Sequence, residues 1–245
     1  MNLFDLANDL YIYLKDKGIE FTDEGYPIIT EDMILKEMPD EVCRIGKTNL
    51  VKNKKQALLV SFGNDEEVYK WLFSLNKMVD YAGDYLAFGG FDLSPRINWD
   101  LNLQKFNILI NRLADAFLAV NGIKLMPNFR TGCLDTLGVL ESYPKHAWYA
   151  VGALGCAKGS TKINKMYLGT KILLASPDML IYYGKLKDEY AKILDEFGIT
   201  YRVFPDYQRV SRGKEVAQCQ MLRQIIQMLF YLRRMLLPEI LLWLI

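Results

Sequence analysis

The stretch QALLVSFG at residues 56–63, followed directly by NDEEVYKWLFSLNKMV at residues 64–79, decides the fold. The first stretch is a continuous apolar run that is too short for a helix and ends at glycine, which is typical of a strand buried on both faces. The second stretch has apolar residues at helical spacing, and Asn64 or Asp65 is placed to cap that helix. A strand followed by a helix is the unit from which parallel sheets are built.

The same unit recurs along the chain until about Pro205. Strands that alternate with helices in this way predict an α/β domain with a mostly parallel sheet. The pattern leaves open whether the sheet is open or curls into an incomplete or distorted TIM-like barrel, since six plain βα units fall short of eight. The predicted strands lie near residues 57–62, 85–89, 123–128, 147–153, 179–183 and 200–204, and the longest helix lies near 101–121.

The residues before this repeat differ from it. Residues 1–55 begin with an amphipathic helix that Gly18 ends, and residues 20–53 follow without a regular pattern. We interpret residues 20–53 as an irregular segment that covers the α/β core domain, which we assign to residues 56–213. A disordered loop is the alternative for the lysine-rich part of that segment.

The residues after the repeat, 214–245, are predicted to form an apolar helix that is broken near Pro238. Arg233 and Arg234 interrupt the apolar run, so we predict no transmembrane segment, which would need about 20 apolar residues. Such a surface is expected to be buried, and we favour self-association into a homo-oligomer over packing on the chain's own domain. A membrane-surface anchor and a tail foreign to the native fold are the alternatives.

Composition indicates a folded protein, and its charge gives no general electrostatic argument for binding to nucleic acid or membranes. The chain has 245 residues, of which 51% are hydrophobic, and a formal net charge of +1. Its four cysteines lie far apart and it has one histidine, so there is no zinc-site spacing, and the sequence identifies no cofactor. The amino terminus carries acidic residues where a signal peptide carries basic ones, so we expect a cytoplasmic protein with reduced thiols.

Polar residues follow the predicted strands at the points where the strands end. Because the carboxyl ends of parallel strands face the same side of a sheet, these residues are expected to converge on one crevice. We predict that this crevice binds a small anionic or phosphorylated ligand, and that Asp92 is the candidate catalytic group. The candidate ligand-binding residues are Asp65, Ser94, Asn128, Arg130, Gly155, Tyr183, Gly184 and Lys185.

Each candidate also has a structural interpretation. Asp92 suits a general base or a metal ligand, and equally an Asx-turn in which it accepts turn amides. Arg130 suits bidentate contact with phosphate or carboxylate, and otherwise a surface ion pair. Ser94 is placed to cap the next helix, and no GxSxG elbow surrounds it. Gly155 lies in GALGCAKGST, residues 152–161, which resembles a phosphate-cradling loop but does not have the P-loop spacing.

Parts of the chain resemble one protein family. The strings FDLSPRINWDLNLQKFNILINRLADAFLAVNGIKLMPNFRTG, VGALGC and IYYGK resemble the DUF4417 family, proteins of unknown function from bacteria, phages and other mobile elements. The resemblance spans roughly residues 56–213. The positions that match the family's motifs are Asp92, Ser94, Gln104, Arg112, Pro127, Asn128, Gly155, Tyr183 and Gly184.

The chain departs from the family's motifs at three positions. Gly90 replaces a proline in a PDFS-like turn, Cys133 follows RTG where a WGD-like turn has its acid, and Ala153 replaces a hydroxyl residue. The matched positions coincide with the predicted strand ends, so the resemblance implies a shared site there. The lost acid and hydroxyl count against retention of any catalytic activity that the family has.

Two classes of function fit these observations, and the sequence does not decide whether the protein is an enzyme. We favour a phage or mobile-element protein that binds an anionic ligand, and one form of this is a hydrolase or transferase in which Arg130 and Lys185 hold the anion. The alternative is a nucleic-acid-binding accessory protein or a protein that binds a host factor, indicated by basic stretches at residues 47–55 and 208–214. A structural module that assembles through its tail is a third interpretation.

Overall fold

The computed structural model describes residues 2–152 and 161–213, and for residues 161–164 it describes the backbone alone. The chain divides into two compact units, residues 1–206 and 207–245. Of the second unit only residues 207–213 are described, and these are helical. The apolar helix predicted at residues 214–245, and with it the predicted self-association, lies outside the described residues.

The first unit alternates strands with helices. Its strands are β1 (Glu41–Arg44), β2 (Ala57–Val60), β3 (Ala87–Phe88), β4 (Trp148–Gly152), β5 (Met179–Tyr183) and β6 (Thr200–Phe204). Its α-helices are α1 (Leu3–Asp16), α2 (Asp65–Leu72), α3 (Leu75–Ala82), α4 (Leu101–Val120), α5 (Thr161–Ala175) and α6 (Asp188–Glu196). Short 3₁₀ helices lie at Glu31–Met33, Lys54–Gln56 and Leu134–Ser142.

The strands form two parallel three-stranded sheets, ordered β1-β2-β3 and β4-β5-β6. Val42 pairs with Leu58 in the first sheet, and Ala150 pairs with Ile181 in the second. Strands that are neighbours in the chain are therefore neighbours in space, which is the arrangement that repeated βα units produce. The predicted α/β class with a parallel sheet is confirmed, and neither sheet closes into a barrel in the described part of the chain.

Residues 123–128, predicted as a strand, make isolated bridges instead. Leu125 pairs with Phe88 of β3, and Asn128 pairs with Ala150 of β4, both in the parallel sense. Pro127 lies between the two bridges and has no N–H to donate, so a regular ladder does not continue through it. The segment nevertheless joins the two sheets in chain order, between β3 and β4.

The two sheets share one buried face. A Cβ added to Gly89 would lie 2.6 Å from Val60 Cγ1 and 3.3 Å from the Ala150 Cβ, so the sheets approach each other closely there. Residues of the opposite face, such as Leu59 and Tyr149, pack in the larger core together with the helices. The shared face consists of Val42, Leu58, Val60, Phe62, Ala87, Met126, Ala150, Ile181, Tyr183 and Phe204.

Two predicted segments differ in detail from the structure. Residues 20–53, predicted to be irregular, contain β1, which has only four residues and a charged residue at each end. The helix predicted over residues 64–79 is two helices, α2 and α3, which separate at Phe73 and Ser74. Periodicity does not reveal this break, because the buried residues keep helical spacings of three and four across it: Val68, Leu72, Leu75, Met78 and Ala82.

The long helix predicted over residues 101–121 is confirmed as α4. Asp100, rather than Ser94, caps it by accepting from the Asn102 N–H at 2.9 Å, and Gly122 follows its end with a φ of 90°. Glycine accepts this left-handed conformation without strain, which is why it commonly ends a helix. Although α4 has 20 residues, neither it nor any other helix in the described residues is suited in length and polarity to cross a membrane.

Candidate functional site

Arginine–carboxylate pairs line the carboxyl ends of the strands of the first sheet and of the 123–128 segment. Each pair joins two elements that are distant in the sequence, and we call the polar edge that they form the rim. The pairs are Arg44–Glu67 at 3.4 Å, Arg96–Asp65 at 3.4 Å and Arg130–Asp92 at 3.0 Å.

Asp92 and Arg130 form the centre of the rim. Arg130 Nη1 donates to both oxygens of the Asp92 carboxylate, at 3.0 and 3.2 Å. Asn128 Nδ2 donates to the same carboxylate at 3.0 Å. The Asp92 side chain is 7% exposed and the Arg130 side chain 26%, so the arginine is the partner that solvent reaches.

Burial raises the pKa of the Asp92 carboxyl group, because its charged form loses hydration. The positive charge of Arg130 and the hydrogen bonds from Asn128 and Arg130 act in the opposite direction, and the negative charge of Asp65 adds to the rise. Asp92 therefore accepts a proton more readily than an exposed aspartate does. A carboxyl group of this kind is suited to general acid or base chemistry.

Ser94 and Asp65 connect this centre to the start of α2. Ser94 Oγ lies 3.4 Å from Arg130 Nη2, and the Ser94 N–H donates to Asp65 Oδ1 at 3.0 Å. Asp65 pairs in turn with Arg96. The structure thus brings five of the predicted residues into one hydrogen-bonded cluster, which we call the Asp92 cluster: Asp65, Asp92, Ser94, Asn128 and Arg130.

Helix α4 fixes the loop that carries Arg130. The Arg112 Nη2 group donates to the carbonyl oxygens of Asn128 at 3.1 Å and Arg130 at 3.4 Å, and its Nη1 group donates to Asp115 at 3.4 Å. The side chains of Arg112 and Asp115 are almost fully buried. A buried arginine that donates to two carbonyl oxygens of one loop holds the path of that loop.

Helix α5 holds the same loop. Lys171, which is buried, donates to the Phe129 carbonyl oxygen and lies 4.3 Å from the centre of the Phe129 ring. Tyr167 donates to the Gly132 carbonyl oxygen. Side chains from two helices therefore fix the backbone of the loop.

Polar side chains on the buried face of α4 also hold the loop that follows β3. Asn111 exchanges two hydrogen bonds of 3.0 Å with the Leu93 backbone, and Asn107 donates to the carbonyl oxygen of the next residue at 2.9 Å. Asp115 accepts from the Phe91 N–H at 2.8 Å. These side chains satisfy backbone groups that a neighbouring strand would satisfy in a regular sheet.

Sequence reasoning missed this polar face, although a signal for it was present. Gln104, Asn107, Asn111, Arg112 and Asp115 all lie among the buried residues of α4. Their spacing places them along one side of the helix. Because buried polar groups are almost always hydrogen-bonded, a polar stripe in an otherwise apolar helix indicates that irregular backbone packs against it.

Gly90 allows the turn between β3 and Asp92. Its φ is 76°, and a Cβ there would lie 3.0 Å from the Asn128 nitrogen and 3.1 Å from Asp115 Oδ2. Ser61 Oγ donates to the Gly90 carbonyl oxygen at 2.7 Å. Proline, which the resembled motif has at this place, fixes φ near about −65° and does not fit this turn.

The other described candidates lie at the end of β5. Tyr183 is buried, and its ring centre lies 6.3 Å from that of Phe62. Gly184 has a φ of 112° and donates its N–H to the Phe204 carbonyl oxygen at 2.8 Å, and Lys185 is exposed. Gly155 lies outside the described residues.

The groups of the Asp92 cluster that suit an anion are the Arg130 guanidinium group and the Ser94 hydroxyl group. Within residues 2–152 and 161–213, histidine, cysteine, aspartate and glutamate side chains form no group of three or more that could hold a metal ion. The described site offers a carboxyl group, a hydroxyl group and a guanidinium group.

These features define a parallel α/β protein in which a buried carboxylate, Asp92, pairs at the strand ends with Arg130 on a fixed loop. The model of a family described as "Domain of unknown function (DUF4417)" matches residues 30–202, and the chain belongs to that family. The matched region includes the whole Asp92 cluster. Comparisons with curated proteins and with solved structures gave no match.

Proposed function

We propose that the protein binds a small anionic or phosphorylated ligand at the carboxyl ends of its strands, with Arg130 as the main contact. The observation that carries this proposal is the fixed loop around Arg130. Arg112 and Lys171 are buried cations that donate to its carbonyl oxygens, and Tyr167 donates to a further one. An ion pair near the surface contributes little to stability, whereas an arginine held in advance loses less entropy on binding.

The donors at Arg130 suit an oxyanion. Its Nη1 group bonds to Asp92, and its Nη2 group lies beside the Ser94 hydroxyl group. A guanidinium group and a hydroxyl group together donate to two oxygens of a phosphate or a carboxylate. Lys185, exposed after β5, is the proposed second cation. In the enzymatic form of the proposal, a hydrolase or transferase, Asp92 exchanges a proton with the ligand.

Replacement of Arg130 tests the proposal. We expect Arg130→Ala to weaken binding of inorganic phosphate by about tenfold or more, since a hydrogen bond to a charged group contributes about 1.5–3 kcal/mol. Arg130→Lys keeps the charge without the bidentate geometry and should have an intermediate affinity. Isothermal titration calorimetry on the full chain gives these affinities, and native mass spectrometry of the freshly purified protein identifies a retained ligand.

The matched control is Arg44→Ala, which removes a rim arginine outside the Asp92 cluster and should bind phosphate as the wild type does. Equal phosphate binding by the wild type and Arg130→Ala would show that the proposal is wrong, as would the absence of phosphate binding together with the absence of a retained anion.

A second candidate function is binding of single-stranded nucleic acid beside the same rim. The Arg96 guanidinium carbon lies 5.0 Å from the centre of the Trp99 ring, which is 38% exposed. An exposed aromatic ring beside a cation is the arrangement on which bases stack. In the basic stretch 47–55, by contrast, Lys54 and Lys55 both bond to the end of α3 and its following turn. Oligonucleotide binding that weakens steeply with salt would support this candidate, and salt-insensitive behaviour would exclude it.

The proposal also covers the biological role, the location and the oligomeric state of the protein. The family membership is the basis for a role in a phage or mobile element, where a host factor is an alternative partner. We also propose a cytoplasmic location and a homo-oligomer that forms through residues 214–245.

A further inference from the structure

Asp92 and an anionic ligand require the same donors. Arg130 Nη1 donates to both oxygens of the Asp92 carboxylate, while Nη2 lies 3.4 Å from Ser94 Oγ. An oxyanion that binds the end of a guanidinium group in the bidentate mode uses both of these nitrogens. The carboxylate therefore occupies one of the two positions that such a ligand would take.

The second observation is the charge around Asp92. Among the described residues, the charged groups that face it are Arg130, from the 127–133 loop, and Asp65, from the start of α2, and Asn128 adds an amide donor. A ligand anion at Arg130 would add a further negative charge beside a carboxylate that is 7% exposed. Two anions in one poorly hydrated site repel each other strongly unless one of them is neutralised.

We propose that the ligand is an oxyanion that displaces the Asp92 carboxylate from Arg130, and that Asp92 takes up one proton from the solvent as it is displaced. The inference rests on the proposed function, since it concerns the same site. The proton neutralises Asp92 when Arg130 pairs with the ligand instead of with the Asp92 carboxylate. Asn128 stays beside the neutral carboxyl group.

The displacement links ligand binding to pH. Burial already raises the pKa of Asp92 while Arg130 is its partner, and the charge of Arg130 is the largest opposing influence. Loss of that influence raises the pKa further. Affinity for the ligand is therefore highest below the pKa of Asp92 in the free protein, and it declines as the pH rises from that value to the higher pKa in the complex.

Calorimetric titration of the full chain with sodium sulfate tests the linkage. The charge of sulfate is constant over the range in which Asp92 titrates, so a pH dependence belongs to the protein. Over the range between the pKa of Asp92 in the free protein and its pKa in the complex, we expect the affinity to fall as pH rises, by up to about tenfold per pH unit. Titrations in two buffers of different ionisation enthalpy should show the uptake of up to one proton for each sulfate bound.

Asp92→Asn is the decisive variant because its side chain is neutral at every pH. We expect it to bind sulfate more tightly than the wild type near the upper end of this pH range, without proton uptake. Glu67→Gln is the matched control, since it removes a rim carboxylate outside the Asp92 cluster and keeps Asp92, and it should retain the proton uptake.

The outcomes separate the two proposals. Sulfate binding by the wild type without proton uptake would overturn the displacement and leave the proposed function standing. A lack of sulfate binding at every pH would overturn the displacement, and phosphate binding that does not depend on Arg130 would overturn the proposed function as well. Proton uptake by the wild type tests the displacement of Asp92 without any variant. A failure of Asp92→Asn to fold therefore does not affect this test.

Discussion

Gly90 turns the chain from β3 into the loop that carries Asp92. Its positive φ and the short distances from an added Cβ to Asn128 and Asp115 strongly favour glycine at this position. The sequence indicated a turn from the glycine pair at residues 89–90. It did not indicate the crowding around Gly90, because the atoms responsible belong to residues that are distant in the chain.

The crowding at Gly90 has a measurable effect on stability. We expect Gly90→Ala to lower the free energy of unfolding by about 1–3 kcal/mol or more, because alanine must adopt a positive φ and its Cβ meets atoms of two neighbouring residues. Urea unfolding followed by circular dichroism gives the value.

Gly198→Ala is the matched control for this change. Gly198 has a φ of 66° and nothing within 4 Å of an added Cβ, so its replacement produces the backbone strain without the collision. We expect a smaller loss of stability in the control. Equal losses in the two variants would contradict the role that we give to the surroundings of Gly90.

At the scale of elements, the sequence predicts α4 well and its partners poorly. The bounds of α4 follow from apolar spacing and from the local signals at Asp100 and Gly122. Its polar side chains form hydrogen bonds with loops that are distant in the sequence. The spacing of residues within the helix does not show which loops these are. Likewise, β1 and the bridges at 123–128 are defined by pairing with other strands rather than by local pattern.

Asp115 on α4 gives a prediction about pH. Burial raises its pKa from 3.8 to about 7, against the opposing charge of Arg112. Because the pKa in the folded state is the higher one, the folded protein holds the proton to higher pH, and the stability that this group contributes is lost as the pH rises from about 4 to about 7. We therefore expect the free energy of unfolding of the wild type to fall relative to that of Asp115→Asn over this range, and to run parallel to it above.

Urea unfolding at a series of pH values measures this difference. Asn107→Ala is the control, since it removes a hydrogen bond from the same face of α4 and no titrating group. Its free energy of unfolding should follow that of the wild type at a constant offset. A constant offset for Asp115→Asn as well would contradict the prediction.

At the scale of the whole molecule, topology located most of the candidate site. The rule that polar residues after parallel strands converge was sufficient to find the Asp92 cluster. It could not find Arg44 and Glu67, because β1 was not recognised as a strand. It also grouped Tyr183, Gly184 and Lys185 with the cluster. The structure places the Tyr183 ring against Phe62, which follows β2, and bonds Gly184 to Phe204 of β6.

The prediction of self-association through residues 214–245 also concerns the whole molecule. Deletion of the residues after Gly213 leaves the first compact unit complete, since that unit ends at Asp206. We expect the shortened chain to be soluble and folded, and light scattering to show a smaller oligomer than the full chain forms. A soluble, folded chain of unchanged oligomeric state would rule out self-association through these residues, and an insoluble one would indicate that they pack on their own domain.

The loop that carries Arg130 takes its path from Arg112, Lys171 and Tyr167, which lie on α4 and α5. The course of the backbone and the chemical character of the exposed side chains are thus encoded in different parts of the sequence. Substitution of Arg130 or Cys133 changes the side chains that the loop presents and leaves in place the bonds that set its course, because those bonds reach backbone atoms. A loop built in this way tolerates changes in its side chains without a change in its backbone path.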